Sequence, residues 1–205
     1  RTYYYLGMSL MYANNYEDAI SSFTQSLLLD PDNSDTYFNL GKSYHEIGKI
    51  IQAREAFNRV INIDVQYGAA HYYLGLINEN IMEIEKAVES YTNAREYSSE
   101  IEDVHYRLGM LLYRTGNLKK AMEPLREFII YQPDSIHVLE AMGDIFISES
   151  RFQEAIDTFK RIRDESPEKL DVNLSLAESY YQMKKFERAI DIYEDVLLFD
   201  DENVE

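Results

Sequence analysis

Residues 34–63 read SDTYFNLGKSYHEIGKIIQAREAFNRVINI. In the first half, Tyr37, Leu40, Gly41 and Tyr44 recur at helical spacing and so share one face. In the second half, Ala53, Ala56, Phe57, Val60 and Ile61 do the same. Gly48 stands between the halves, where a helix usually ends in a left-handed residue. The spacing predicts two short helices, over 34–47 and 52–63, joined by a tight turn. Such a hairpin has too little apolar surface to offset the entropy of ordering its chain, so it needs neighbours on both sides.

The neighbours are present. At a spacing of 34, one column holds Gly7, Gly41, Gly75, Gly109, Gly143 and Ala177, each preceded by Leu6, Leu40, Leu74, Leu108, Met142 or Leu176. A second column is Ala19, Ala53, Ala87, Ala121, Ala155 and Ala189. A third is Phe23, Phe57, Tyr91, Leu125, Phe159 and Tyr193. Six copies run in phase without insertion or deletion, over 1–33, 34–67, 68–101, 102–135, 136–169 and 170–203. Small residues in two columns let the helices approach closely, and the large column fills the space between units. Asn14 and Gly116 repeat the turn position of Gly48. Pro124 falls inside a predicted helix and removes one backbone donor there.

This pattern, L-G-x2-Y, then A-x3-F, then Pro, resembles the tetratricopeptide repeat family over essentially the whole chain. The helix-ending proline is Pro31, Pro133 and Pro167, while the other repeats place Val65, Ser99 and Asp201 there. The family's tryptophan position holds Tyr3, Tyr37, His71, His105, Leu139 and Asn173, so that pocket is filled unevenly, least well at Asn173. The resemblance implies an all-α fold of about twelve helices in one domain. It also implies a right-handed superhelix whose concave wall is formed by the first helix of each pair. No polar capping helix follows Val196–Phe199 before the acidic stretch Asp200–Glu205, and the chain opens at Arg1. We therefore expect a segment of a longer protein, or one that self-associates through repeat 6.

Composition narrows the function. Apolar residues make up 45%, enough for a core, and the net charge is −17. Residues 1–102 carry 7 basic and 15 acidic groups, and 103–205 carry 13 and 22, so neither half offers the basic surface that nucleic acid or anionic lipid requires. No apolar run is long enough to span a bilayer. The absence of cysteine excludes disulfides, thiolate catalysis and cysteine-bound zinc, and leaves the compartment open. No phosphate-binding glycine loop and no H-E-x-x-H pair occurs. The histidines, His45, His71, His105 and His137, lack helical partners for a metal, and we read His71 and His105 as half-buried stand-ins for the family's tryptophan. Acid pairs such as Glu83 with Glu85 and Asp200 with Asp201 read as solvated surface. The sequon Asn173-Leu174-Ser175 lies in a predicted helix at a packing column, against glycosylation. No catalytic residues, cofactor site or metal site are expected.

Helical geometry and the family resemblance together assign a ligand groove to the first helices. Its columns are Tyr4, Phe38, Tyr72, Tyr106 and Glu140; Asn39, Tyr73 and Arg107; and Met8, Lys42, Leu76, Met110 and Asp144; Arg114 joins them. Tyrosine and methionine supply adaptable contact area, while packing against neighbouring helices is the competing reading of the same rings. One family subgroup clamps the carboxylate of chaperone tails with lysines, asparagines and an arginine. None of the four three-repeat windows reproduces that set; the window from repeat 2 gives Phe38, Lys42, Tyr73, Asp103 and Arg107. The expectation is a non-enzymatic scaffold that binds a protein or peptide with apolar anchors and a basic stretch. The alternatives are a targeting module of a larger enzyme, or a self-assembling structural domain.

Overall fold

The computed structural model describes residues 1–202, with side-chain surroundings through Leu198. Among these residues there are twelve α-helices and no strand. They are α1 (Thr2–Tyr12), α2 (Tyr16–Leu29), α3 (Ser34–Glu46), α4 (Ile50–Ile63), α5 (Gly68–Asn80), α6 (Ile84–Tyr97), α7 (Glu102–Arg114), α8 (Leu118–Tyr131), α9 (Ile136–Ser148), α10 (Phe152–Glu165), α11 (Leu170–Gln182) and α12 (Phe186–Glu202). The fold is an all-α helical repeat. The chain forms two compact units, Arg1–Val104 and His105–Glu205, whose boundary falls within α7. The acidic stretch Asp200–Glu205 has its side chains outside the described residues.

Local chemistry explains why every hairpin closes alike. Asn14, Gly48, Met82, Gly116, Ser150 and Lys184 all have φ between 58° and 78°. Each lies one repeat from the next, so the left-handed turn predicted at three positions occurs at six. The backbone bonds around it repeat too. Lys49 N–H donates to the Tyr44 carbonyl at 2.9 Å and Gly48 N–H to the His45 carbonyl at 3.0 Å. Corresponding pairs join Glu83 to Asn78, Arg151 to Phe146 and Lys185 to Tyr180. This is the two-bond Schellman closure, which satisfies carbonyls that a helix end leaves open. Between repeats, Asn33 caps α3 by accepting the Thr36 N–H at 2.8 Å.

In the first unit, neighbouring helices from α1 to α6 pack in chain order. Ala19, Ala53 and Ala87 are fully buried, as are Phe23, Phe57 and Tyr91. The glycine column is needed for that approach: a Cβ on Gly41 would meet Phe57 Cε1 at 2.8 Å. In the second unit, α8 to α12 pack in order, and Gly109 and Gly143 face Leu125 and Phe159 in the same way. Helix α8 runs unbroken through the buried Pro124.

The uneven tryptophan column is resolved by hydrogen bonds. His71 is 5% exposed and its Nε2 donates to the Val65 carbonyl at 2.8 Å, while its ring lies 5.5 Å from Tyr97. Asn173, 3% exposed, donates its Nδ2 to the corresponding Pro167 carbonyl at 2.8 Å, which supplies the anchor that sequence left in doubt. His105 stacks on Tyr131 at 5.8 Å and places Nδ1 2.7 Å from Glu127 Oε2. Both histidines are therefore buried rather than half-buried.

Candidate functional site

On the first helices of the first unit, the expected groove residues form one aromatic cluster. Phe38 contacts Phe57, Tyr67 and Tyr73 at 5.8, 5.0 and 5.7 Å between ring centres. Tyr73 stacks on Phe57 at 5.0 Å and meets Tyr72 edge-on at 5.6 Å. Lys42 Nζ lies 5.7 Å from the Phe38 ring centre, a cation–π contact that fixes a positive charge on an aromatic surface. Phe38, Lys42, Tyr72, Tyr73 and Leu76 are each partly exposed, as are Tyr4 and Met8. Asn39 is not: it is 8% exposed and donates to the Asp35 carbonyl at 2.8 Å and to the Tyr4 hydroxyl at 3.5 Å. It orients the face from beneath.

Several rings therefore serve packing and surface at once. Tyr72 donates its hydroxyl to Asp103 Oδ2 at 2.6 Å, and Tyr67 donates to Asp35 Oδ1 at 3.0 Å. Burial raises the Tyr67 pKa, and the carboxylate of Asp35 raises it further. Burial, then the charge of Glu46, raises that of Tyr73. Tyr67 and Tyr73 therefore stay neutral across the physiological range, and Tyr67 remains a hydrogen-bond donor to Asp35.

On the first helices of the second unit the chemistry changes. Tyr106 packs on Phe128 at 5.2 Å. Arg107 and Met110 are partly exposed, while Arg114 and Asp144 are exposed. Asp144 accepts a short hydrogen bond from Tyr113. Glu140 is held by Lys169 Nζ at 2.6 Å, with His137 Nδ1 3.7 Å from its other oxygen. Tyr67 and Lys169 were missed by sequence reasoning. Both occupy the loop position just before a first helix, outside the helical periodicity that marks a shared face.

The acid pair Glu83 and Glu85 divides. Glu85 is exposed, but Glu83 is partly buried, with Lys86 Nζ at 2.7 Å and Arg54 at 3.9 Å. Its hydrogen bond with Lys86 holds its pKa below the usual carboxylate range. It is thus a structured ion pair and not simply solvated surface. Among the described residues no helix is long and apolar enough to cross a membrane, and no group of three or more His, Asp or Glu is placed to hold a metal ion.

Family models for the tetratricopeptide repeat match residues 7–48, 34–67, 83–135 and 146–205. The chain belongs to the tetratricopeptide repeat family. Similar solved structures share its fold. One is YrrB, described as a TPR protein with an unusual peptide-binding site: 17% identity, 86% of this chain and 91% of that one covered, TM-score 0.73. A MamA crystal structure is 26% identical over 82% of this tetratricopeptide repeat chain and 92% of its own, TM-score 0.68. MamA from Desulfovibrio magneticus RS-1 is 15% identical over 82% and 96%, TM-score 0.61. No curated protein matches the chain.

Proposed function

We propose that this chain is a non-enzymatic scaffold whose first helices bind a partner protein or peptide. The coarse role, a protein-interaction scaffold, accords with the family and with the peptide-binding description of YrrB. The finer reading rests on one observation: Phe38, Lys42, Tyr72, Tyr73 and Leu76 form a half-exposed aromatic surface with a cation fixed on it. Rings already ordered by packing lose little entropy on binding, which favours apolar anchors on the partner. Within the second unit, Glu140 and Asp144 favour a basic stretch in what binds there.

Photo-crosslinking tests this reading. A crosslinking residue at Lys42 or Leu76 should capture partner from source extract, and one at Thr24 or Thr92 on the second helices should not. Tyr72→Ala should abolish capture; Glu140→Lys or added salt should weaken it. Capture confined to the second-helix positions would overturn the assignment.

A second reading, self-association through repeat 6, is supported by Phe186, Ile190 and Leu197, which are 47, 53 and 64% exposed along α12. Sedimentation showing a monomer at every concentration would remove it.

A further inference from the structure

The carboxylates on the first helices of the first unit already hold partners within the chain. Asp35 accepts the Tyr67 hydroxyl at 3.0 Å and Glu79 the Tyr91 hydroxyl at 2.8 Å. Asp103, at the start of α7, accepts the Tyr72 hydroxyl at 2.6 Å. Glu46 lies 3.9 Å from His45 Nδ1, and α1 carries no carboxylate. Lys42 is the one lysine or arginine on α1, α3 and α5, and among the described residues no carboxylate lies within ion-pair distance of it. In a chain of net charge −17, this face therefore presents aromatic rings and one uncommitted cation.

The rings recur once per repeat. Tyr4, Phe38 and Tyr72 occupy one column, and each is partly exposed. Packed helices stand about 8–10 Å apart, and α1 is in contact with α3. A ligand crossing the first helices thus meets a ring at about that interval. An α-helix repeats every 5.4 Å, and same-side residues of a β-strand recur at about 6.7 Å. A polyproline II segment advances about 9 Å per three-residue turn. Of the three, only polyproline II brings one side chain per turn onto each successive ring.

We propose that the first-helix face of the first unit binds a proline-rich segment in the polyproline II form, with an acidic residue over Lys42. This rests on the first-helix reading above and names its ligand. Prolines at every third position stack on Tyr4, Phe38 and Tyr72, and an acidic side chain from the middle turn reaches Lys42. Lys42 and the Tyr5 hydroxyl, on a ring 64% exposed, supply donors. A proline segment has carbonyls in excess to receive them, because it lacks N–H groups. A ligand rich in N–H donors finds no free carboxylate here to accept them. The preset backbone of such a segment also loses little entropy on binding.

The test titrates the ¹⁵N-labelled chain with an acetylated, amidated peptide of four prolines, one glutamate and four prolines. Two analogues accompany it, one with every proline replaced by alanine and one with glutamine for the glutamate. The parent should shift the backbone amides of Lys42, Tyr72 and Leu76 saturably, with half-saturation at or below about 1 mM. The alanine analogue should produce no saturable shift. The glutamine analogue should bind about two- to fivefold more weakly, the range of an exposed ion pair. Lys42→Met keeps the apolar stem and should erase the difference between parent and glutamine analogue, while both still bind. Four results overturn the proposal: no saturable shift from the parent, equal binding of either analogue, a parent–glutamine difference that survives Lys42→Met, or shifts confined to Thr24 and Thr92 on the second helices. Photo-crosslinks from Lys42 or Leu76 to the natural partner would then show that the first-helix reading stands without it, and their absence would remove both.

Discussion

The Tyr72 hydroxyl and the Asp103 carboxylate, 2.6 Å apart, tie the first helix of one repeat to the start of the next. Tyr113 and Asp144 repeat the bond at the same separation of 31 residues. Tyr72→Phe keeps the ring contacts with Tyr73 and Tyr91 and removes only the donor. We expect a loss of about 1 kcal/mol, read as a lower urea midpoint at unchanged slope. Partner binding through the ring should persist in Tyr72→Phe and vanish in Tyr72→Ala.

Gly41→Ala places a methyl group 2.8 Å from Phe57 Cε1. Phe57 is fully buried and stacked on Tyr73, so its ring has no free direction to move. The expected cost is about 2–3 kcal/mol by overpacking. Calorimetry showing an unchanged transition would mean that the two helices do not approach this closely.

Met82 adopts φ 62° where its counterparts Gly48 and Gly116 adopt 73° and 78°. Its side chain is 77% exposed, so removing it forfeits almost no packing. Relief of left-handed strain exceeds the added entropy of a glycine in the unfolded chain, and Met82→Gly should stabilise by about 0.5–1 kcal/mol. A thermal midpoint that falls would contradict this.

Burial, then the hydrogen bond to Asp144, pushes the Tyr113 pKa up to about 12 from the ordinary phenol value of 10.0. The native state therefore holds this proton more tightly than the unfolded chain. Its stabilising contribution is complete below about pH 10 and lost as pH rises through about 12. Absorbance titration of phenolate should show a late-ionising component that Tyr113→Phe removes. The wild type should also lose more stability than Tyr113→Phe across that interval.

The hairpin was legible because its determinants are local. Gly48, Gly41 and Phe57 act within one repeat, and in-phase copies amplify a signal that a single copy would carry weakly. The same columns marked Tyr4, Phe38 and Tyr72 as facing one way. They did not reveal that Asn39 points inward, because helical periodicity gives a face and not a depth. Nor did they mark Met82, Ser150 and Lys184 as left-handed, since none has the side chain that usually announces that conformation.

Residues 1–205 by themselves determined six helical hairpins, three of their turns and their small-residue contacts, because each follows from residue type at fixed spacing. Tertiary structure alone decided which polar groups meet. Tyr67 reaches Asp35, Lys169 reaches Glu140, and Asn78 reaches Ser90. Such pairings depend on side-chain direction and burial between repeats, where a difference of one or two ångströms separates a hydrogen bond from none, and a period of 34 residues carries no information at that scale.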